Sequence, residues 1–90
     1  MLTIVCRTKI SNTVYYIYKT MSKTILEKFG EKVREERLKQ GLSQEELASR
    51  AGVHRTYIGM IERAEKNITL ENIEKIANAL EISLEKLMNL

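Results

Sequence analysis

The sequence predicts an all-α domain of five short helices. Three observations carry that expectation. Apolar residues recur at spacings of three and four from about residue 24 onward, which is the period of a helix face. No proline interrupts the 90 residues. One start signal recurs three times: an aliphatic residue, a Ser or Thr, and a second aliphatic residue four positions after the hydroxyl. It reads Leu42-Ser43 with Leu47, Ile68-Thr69 with Ile73, and Ile82-Ser83 with Leu87. In each, the hydroxyl can accept a free N–H of the first turn while the two aliphatic side chains clamp the entry of the chain.

Taken in order, residues 1–20 differ from the rest. They hold three of the four tyrosines, many Thr, Ser and β-branched residues, and the bases Arg7, Lys9 and Lys19 without an acid. Thr13 to Tyr18 reads as a strand, yet a helical chain offers it no partner. Three readings stand: an extension upstream of a true start at Met21 (or a disordered one), a strand that pairs two copies, or a basic arm on DNA phosphates. The expected division is therefore an extension over residues 1–21 and a domain over 22–90.

The first helix is expected over Thr24 to Gln40, with Leu26, Phe29 and Val33 on its inner stripe and Gly41 as its stop. One turn beyond Val33 the same stripe reaches Arg37. A charge at that inner edge needs a partner, and Glu62 is the candidate. The second helix begins at Ser43, where Glu46 completes the capping pattern, and ends near Arg50, because Gly52 can take the positive φ of a sharp turn. A third helix follows to Arg63. Leu47, Ala51, Val53, Ile58 and Ile61 give this pair a shared core, and Ala48 leaves room for a close crossing. After a polar link over 65–68, a fourth helix is expected over Leu70 to Leu80, with Ile73, Ile76, Ala77 and Leu80 inward. A fifth is expected over Leu84 to Asn89. Both are expected to pack on the helix pair.

Composition narrows the function. With one histidine, one cysteine and no aspartate, neither a Cys/His metal site nor a serine-type triad is expected, so an enzyme, a metal or another cofactor is not. A lone Cys6 forms no internal disulfide, and no stretch reads as a signal or a membrane span, which fits the cytoplasm. The net charge of +3 lies entirely in residues 1–20; the remainder holds 12 bases and 12 glutamates. Within that neutral domain, Arg50, Arg55, Arg63 and Lys66 outnumber Glu62 and Glu65, while residues 67–90 are net acidic. Positive charge thus gathers on the helix pair.

On the third helix Ile58 and Ile61 mark the buried side. Thr56, Met60 and Arg63 then point outward, with Arg55 and Tyr57 on the flanks. A helix fits the DNA major groove, where Arg can take guanine O6 and N7 together and Thr can meet a thymine methyl or a base acceptor. Arg55, Thr56, Tyr57 and Met60 are the candidate base readers. Ser43, Gln44, Arg63, Lys66 and Asn67 are the candidate phosphate contacts. His54 is either a further phosphate contact or a helix cap. Gly59 costs about 1 kcal/mol relative to alanine inside a helix, so it reflects close backbone approach to a groove or chance. The apolar excess at Ile82, Leu84, Leu87, Met88 and Leu90 reads as a surface for a second copy.

The spacing of Leu47, Ala48, Gly52, Val53, Ile58 and Ile61 resembles the helix-turn-helix of the phage Cro/C1 repressors, the XRE type. That resemblance implies a five-helix, lambda-repressor-like fold and sequence-specific binding of double-stranded DNA by a regulator. It also implies that an arginine at Arg37 pairs with a glutamate at Glu62, and that Gln44 bridges a phosphate and the recognition helix. More narrowly, HRTYIGMIERAEKNITLENIEKIANAL is similar to the controllers of restriction-modification systems, homodimers on palindromic operators that activate and repress their own operon. Ala64 departs from the glycine that often ends the recognition helix. Two other readings remain: an antitoxin or similar protein-binding regulator, and a domain that keeps this fold without binding DNA.

Overall fold

The computed structural model describes residues 24–90. The expected strand over Thr13 to Tyr18, the bases Arg7, Lys9 and Lys19, and the start at Met21 lie outside the described residues. Five helices follow one another: α1 (Ile25–Lys39), α2 (Gln44–Ala51), α3 (Arg55–Glu62), α4 (Leu70–Ala79) and α5 (Leu84–Leu87).

Each helix begins at a side chain that accepts a backbone N–H. Thr24 and Ser43 form reciprocal capping boxes with Glu27 and Glu46. Thr69 and Ser83 accept from the N–H of Asn72 and Lys86, and the His54 imidazole accepts from Thr56. The three recurrent start signals thus stand where helices begin.

The first four helices also end alike. The N–H two residues past the last turn reaches back five residues: Leu42 to the Arg37 carbonyl at 3.1 Å, Val53 to Ala48 at 3.0 Å, Glu65 to Met60 at 2.8 Å and Ile82 to Ala77 at 3.1 Å. Such closure needs a left-handed residue in between. Gly41 (φ 70°) and Gly52 (φ 73°) adopt it without a Cβ penalty, whereas Ala64 (φ 60°) and Glu81 (φ 58°) bear that penalty. The residue after the turn is apolar in three of the four closures, and Leu42, Val53 and Ile82 pack into or against the core. The exception is Glu65.

Val33, Leu47, Ile58, Ile76, Leu80 and Leu87 are fully buried and join all five helices in one core. α3 packs on α1 and α2, α4 packs on α2, and α5 rests on α4 and α1. The crossing of α1 and α3 is a backbone contact. A Cβ on Gly30 would run into the Ile61 carbonyl oxygen and lie 3.0 Å from that of Glu62. Glu36, also buried on α1, is reached by Lys32 and Lys39 at 3.4 Å each. Burial pushes its carboxyl up, but those lysines and the charge of Lys86 outweigh it and hold the pKa below the ordinary value.

The C-terminus corrects three expectations. α5 ends at Leu87 rather than Asn89, and it rests on α4 and α1 rather than on the α2–α3 pair. Leu87 is not a dimer residue: its side chain is fully buried within its own chain. It closes the clamp with Ile82 and Ser83, and a one-turn helix has no second inward position to fill the core. Ile82 packs partly against that core as well. Leu84, Met88 and Leu90 remain exposed.

Two substitutions at helix ends and crossings should shift stability in opposite directions. Gly30→Ala forces the α1–α3 crossing apart and should cost about 1 to 3 kcal/mol, as overpacking of a tight contact does. Ala64→Gly removes a left-handed strain of about 1 to 2 kcal/mol against a glycine entropy cost of about 0.5 to 1, a net gain of about 0.5 to 1 kcal/mol. Urea unfolding monitored by helical circular dichroism measures both.

Candidate nucleic-acid interface

The site is the outer side of α3 and what surrounds it. Ile58 and Ile61 sink into the core, so the helix is anchored along one side and turned outward along the other. Arg55 and Thr56, in its first turn, are exposed; Tyr57 and Met60 are half-buried. Tyr57 packs against the core, and its hydroxyl oxygen accepts a hydrogen bond from the Asn72 amide on α4 at 2.8 Å. The structure therefore separates the four expected readers: Arg55 and Thr56 stand free at the surface, while Tyr57 is tied to α4 with its own hydroxyl proton left to donate.

The far end of α3 is fixed by Glu62. Its carboxylate takes Arg37 Nε at 2.7 Å and Nη2 at 3.0 Å, a bidentate pair, and Gln44 Nε2 at 3.0 Å. Arg37 Nη1 reaches the Leu42 carbonyl at 2.8 Å. The pair is buried, with side-chain exposures of 9% and 3%, and every charged atom that faces inward has a partner. One cluster thus joins α1, the α1–α2 turn, the start of α2 and the end of α3.

Gln44 stands at the first position of α2, half-buried, with its amide committed to Glu62. The Ser43 hydroxyl and the Glu46 carboxylate already satisfy each other's N–H groups. The Ser43 hydrogen bond is the main reason the Glu46 carboxyl lies below its ordinary pKa. What the α2 start keeps for an anion is the N–H of Gln44 and of Glu45, which have no carbonyl within the helix to reach. His54 is a cap, and because Nδ1 accepts from Thr56 at 3.1 Å, its ring proton sits on Nε2. The capping role leaves Nε2 as a donor, so the two readings of His54 are compatible. Lys66 and Asn67 are exposed in the link after α3.

Arg63 is placed differently from the expectation of a free phosphate contact. Its guanidinium is held by the Glu65 carboxylate, Nε to Oε2 at 3.0 Å and Nη2 to Oε1 at 3.2 Å. Glu65, by hydrogen bond and charge, raises the Arg63 pKa further. The side chain folds back along α3, so a Cβ on Gly59 would lie 3.1 Å from Arg63 Nη1 and 3.4 Å from Gln44 Oε1. Gly59 is thus covered by two side chains of its own domain, and an alanine there would require them to shift by a few tenths of an ångström. Sequence reasoning missed Asn72, Glu65 and Gly30. For Gly30 a signal existed, since a glycine inside a periodic helix implies close packing.

Among the described residues no group of His, Cys or Glu side chains is placed to hold a metal, and no helix is long and apolar enough to cross a membrane. An anchored helix presenting Arg and Thr at its start, preceded by a helix that crosses it after a tight turn, defines a helix-turn-helix protein. The helix-turn-helix family model matches residues 33–87. Control protein C.BamHI of Bacillus amyloliquefaciens is 50% identical over 62 residues, 68% of this chain and 76% of that protein. Control protein C.SmaI of Serratia marcescens is 48% identical over 64 residues, 71% of this chain and 76% of that protein. The crystal structure of the restriction-modification controller protein C.AhdI from Aeromonas hydrophila superposes with a TM-score of 0.68 at 48% identity, covering 69% of this chain and 94% of that one. The chain belongs to the helix-turn-helix family of DNA-binding transcriptional regulators, of the Cro/C1 (XRE) type.

The buried cluster makes a stability prediction. Arg37→Ala and Glu62→Gln should each cost about 3 to 5 kcal/mol, because either change strands a buried polar partner. The double variant should cost clearly less than the sum of the two. Chemical denaturation of all four proteins measures the coupling, and strict additivity would mean that the pair carries none.

Proposed function

We propose that this chain is a dimeric, cytoplasmic controller of its own operon in a restriction-modification system, reading a palindromic operator. The observation that carries the reading is the exposed Arg55–Thr56 turn at the start of an α3 whose other end is locked by Glu62. α3 enters the major groove with that turn foremost. Arg55 takes guanine O6 and N7, Thr56 meets a neighbouring base, and Tyr57 and Met60 border them, Tyr57 donating its hydroxyl proton. The N–H groups of Gln44 and Glu45, the Ser43 hydroxyl, His54 Nε2, Lys66 and Asn67 hold phosphates on either side, while Arg63 is engaged by Glu65. The similarity to controllers C.BamHI, C.SmaI and C.AhdI supports the regulatory setting.

A second copy would cover Leu84, Met88 and Leu90, which are 44%, 38% and 42% exposed. A two-fold axis there presents two α3 helices to two half-sites, which is why the operator is read as a palindrome. Met88→Asp should give monomers that remain folded, since that side chain supports no core contact of its own chain comparable to Leu87. Sedimentation at micromolar concentration checks this, and a monomeric unaltered protein would contradict the dimer.

Base reading and phosphate holding should separate on mutation. Arg55→Ala should cost about 1 to 3 kcal/mol on the operator and flatten the discrimination among operator variants. Lys66→Ala should weaken all duplexes alike and lower the salt slope by roughly one. Titrations against operator and scrambled DNA at several salt concentrations measure both. An equal loss on both DNAs for Arg55→Ala would make Arg55 a phosphate contact.

A further inference from the structure

Among the described residues, Glu65 occupies the one position of its kind that carries a charge. In the three other helix closures the residue after the left-handed turn is Leu42, Val53 or Ile82, and each packs on the core. The turn at Ala64 instead brings a carboxylate back onto the recognition helix. There it grips Arg63 with two hydrogen bonds, both partners about half exposed, with side-chain exposures of 57% and 51%. Arg63 in that pose lies along α3 over Gly59, which the Gln44 amide oxygen also approaches. Its charge is therefore on the DNA-facing side of the motif but already neutralised from within the chain. Arg55, also on α3, and Lys66 in the following link are exposed, and no ion pair joins either to a glutamate among the described residues.

We infer that Glu65 is an intramolecular competitor for the DNA backbone, which holds Arg63 off the phosphates and sets the sequence-independent part of the affinity below what the basic residues of the motif would give. The inference rests on the DNA-binding reading above. A phosphate that recruits Arg63 must first displace a bidentate carboxylate. It must also approach that carboxylate once it is released, a like-charge contact. Both costs arise whatever the base sequence, because the exchange is of a carboxylate for a backbone phosphate. The pair is solvent-exposed, so its grip is modest and salt-dependent, as suits a tuning device rather than a lock.

The test is a set of four proteins: the full unaltered chain, Glu65→Gln, Arg63→Ala, and both changes together. Each is titrated with a selected operator duplex and a scrambled duplex from low to moderate salt. Glu65→Gln keeps the size of the side chain and removes its charge. It should raise affinity for both duplexes by about two- to fivefold at low salt, the range of an exposed ion pair, and steepen the salt slope by roughly one as Arg63 takes up a phosphate. In the Arg63→Ala background the same change should give little gain. An equal gain in both backgrounds would reduce Glu65 to a contributor to net charge, and a loss of affinity in Glu65→Gln would make it a positioning residue for Arg63; either result overturns the inference while leaving DNA binding intact. An unaltered chain that binds neither duplex would instead overturn the DNA-binding reading and this inference with it.

Discussion

The structure depends on one carboxylate. Glu62 ends α3, and in doing so it accepts hydrogen bonds from Arg37 on α1 and Gln44 on α2, while Arg37 also holds the Leu42 carbonyl of the turn between those helices. Removing two charges from water costs several kcal/mol per ion unless geometry and hydrogen bonding compensate. Here the guanidinium fork and the carboxylate meet edge to edge, and the remaining guanidinium nitrogen, Nη1, is used on the Leu42 carbonyl. The cluster need not add net stability to matter. It fixes the angle at which α3 leaves the core, with Gly30 allowing α1 to touch the α3 backbone just beneath it.

α3 breaks the charge rule that the other helices obey. α1, α2, α4 and α5 each carry a glutamate in the first turn, where the helix dipole favours an anion. α3 has Arg55 at its start and Glu62 at its end, the reverse arrangement, with no acid in its first turn and no base in its last. Left alone, such a helix of eight residues would be marginal. Burial of Ile58 and Ile61 and the arrival of Arg37 at its C-terminus offset the reversal. What the arrangement gains is an arginine at the exposed tip of the helix, as the proposed base reading requires. A local rule broken without a local remedy, and compensated from a neighbouring helix, is what a functional element is expected to show.

Much of this was legible in the sequence, for identifiable reasons. Helix starts were readable because Ser43, Thr69 and Ser83 each act through partners three and four residues away. The Arg37–Glu62 pair was readable because a charge fell on an apolar stripe. Leu87 was given two incompatible roles, clamp and dimer face, and only the packing of a one-turn helix decides between them. The tie between Asn72 and Tyr57 and the covering of Gly59 by Arg63 and Gln44 join residues 15 or fewer positions apart in the chain, yet neither leaves a periodic trace. The grip of Glu65 on Arg63 depends on a left-handed alanine, a conformation that residue type does not announce.

On the proposed reading, the buried Arg37–Glu62 pair orients α3 for the major groove while neither of its two side chains touches DNA. A crystal structure of the full chain on a duplex recovered by selection from random DNA tests it most directly. The account predicts the Arg55 guanidinium within hydrogen-bond distance of a guanine O6 and N7, with the Arg37–Glu62 pair intact and away from the phosphates. An α3 lying outside the groove, or an Arg37 released from Glu62 to bind a phosphate, would contradict it.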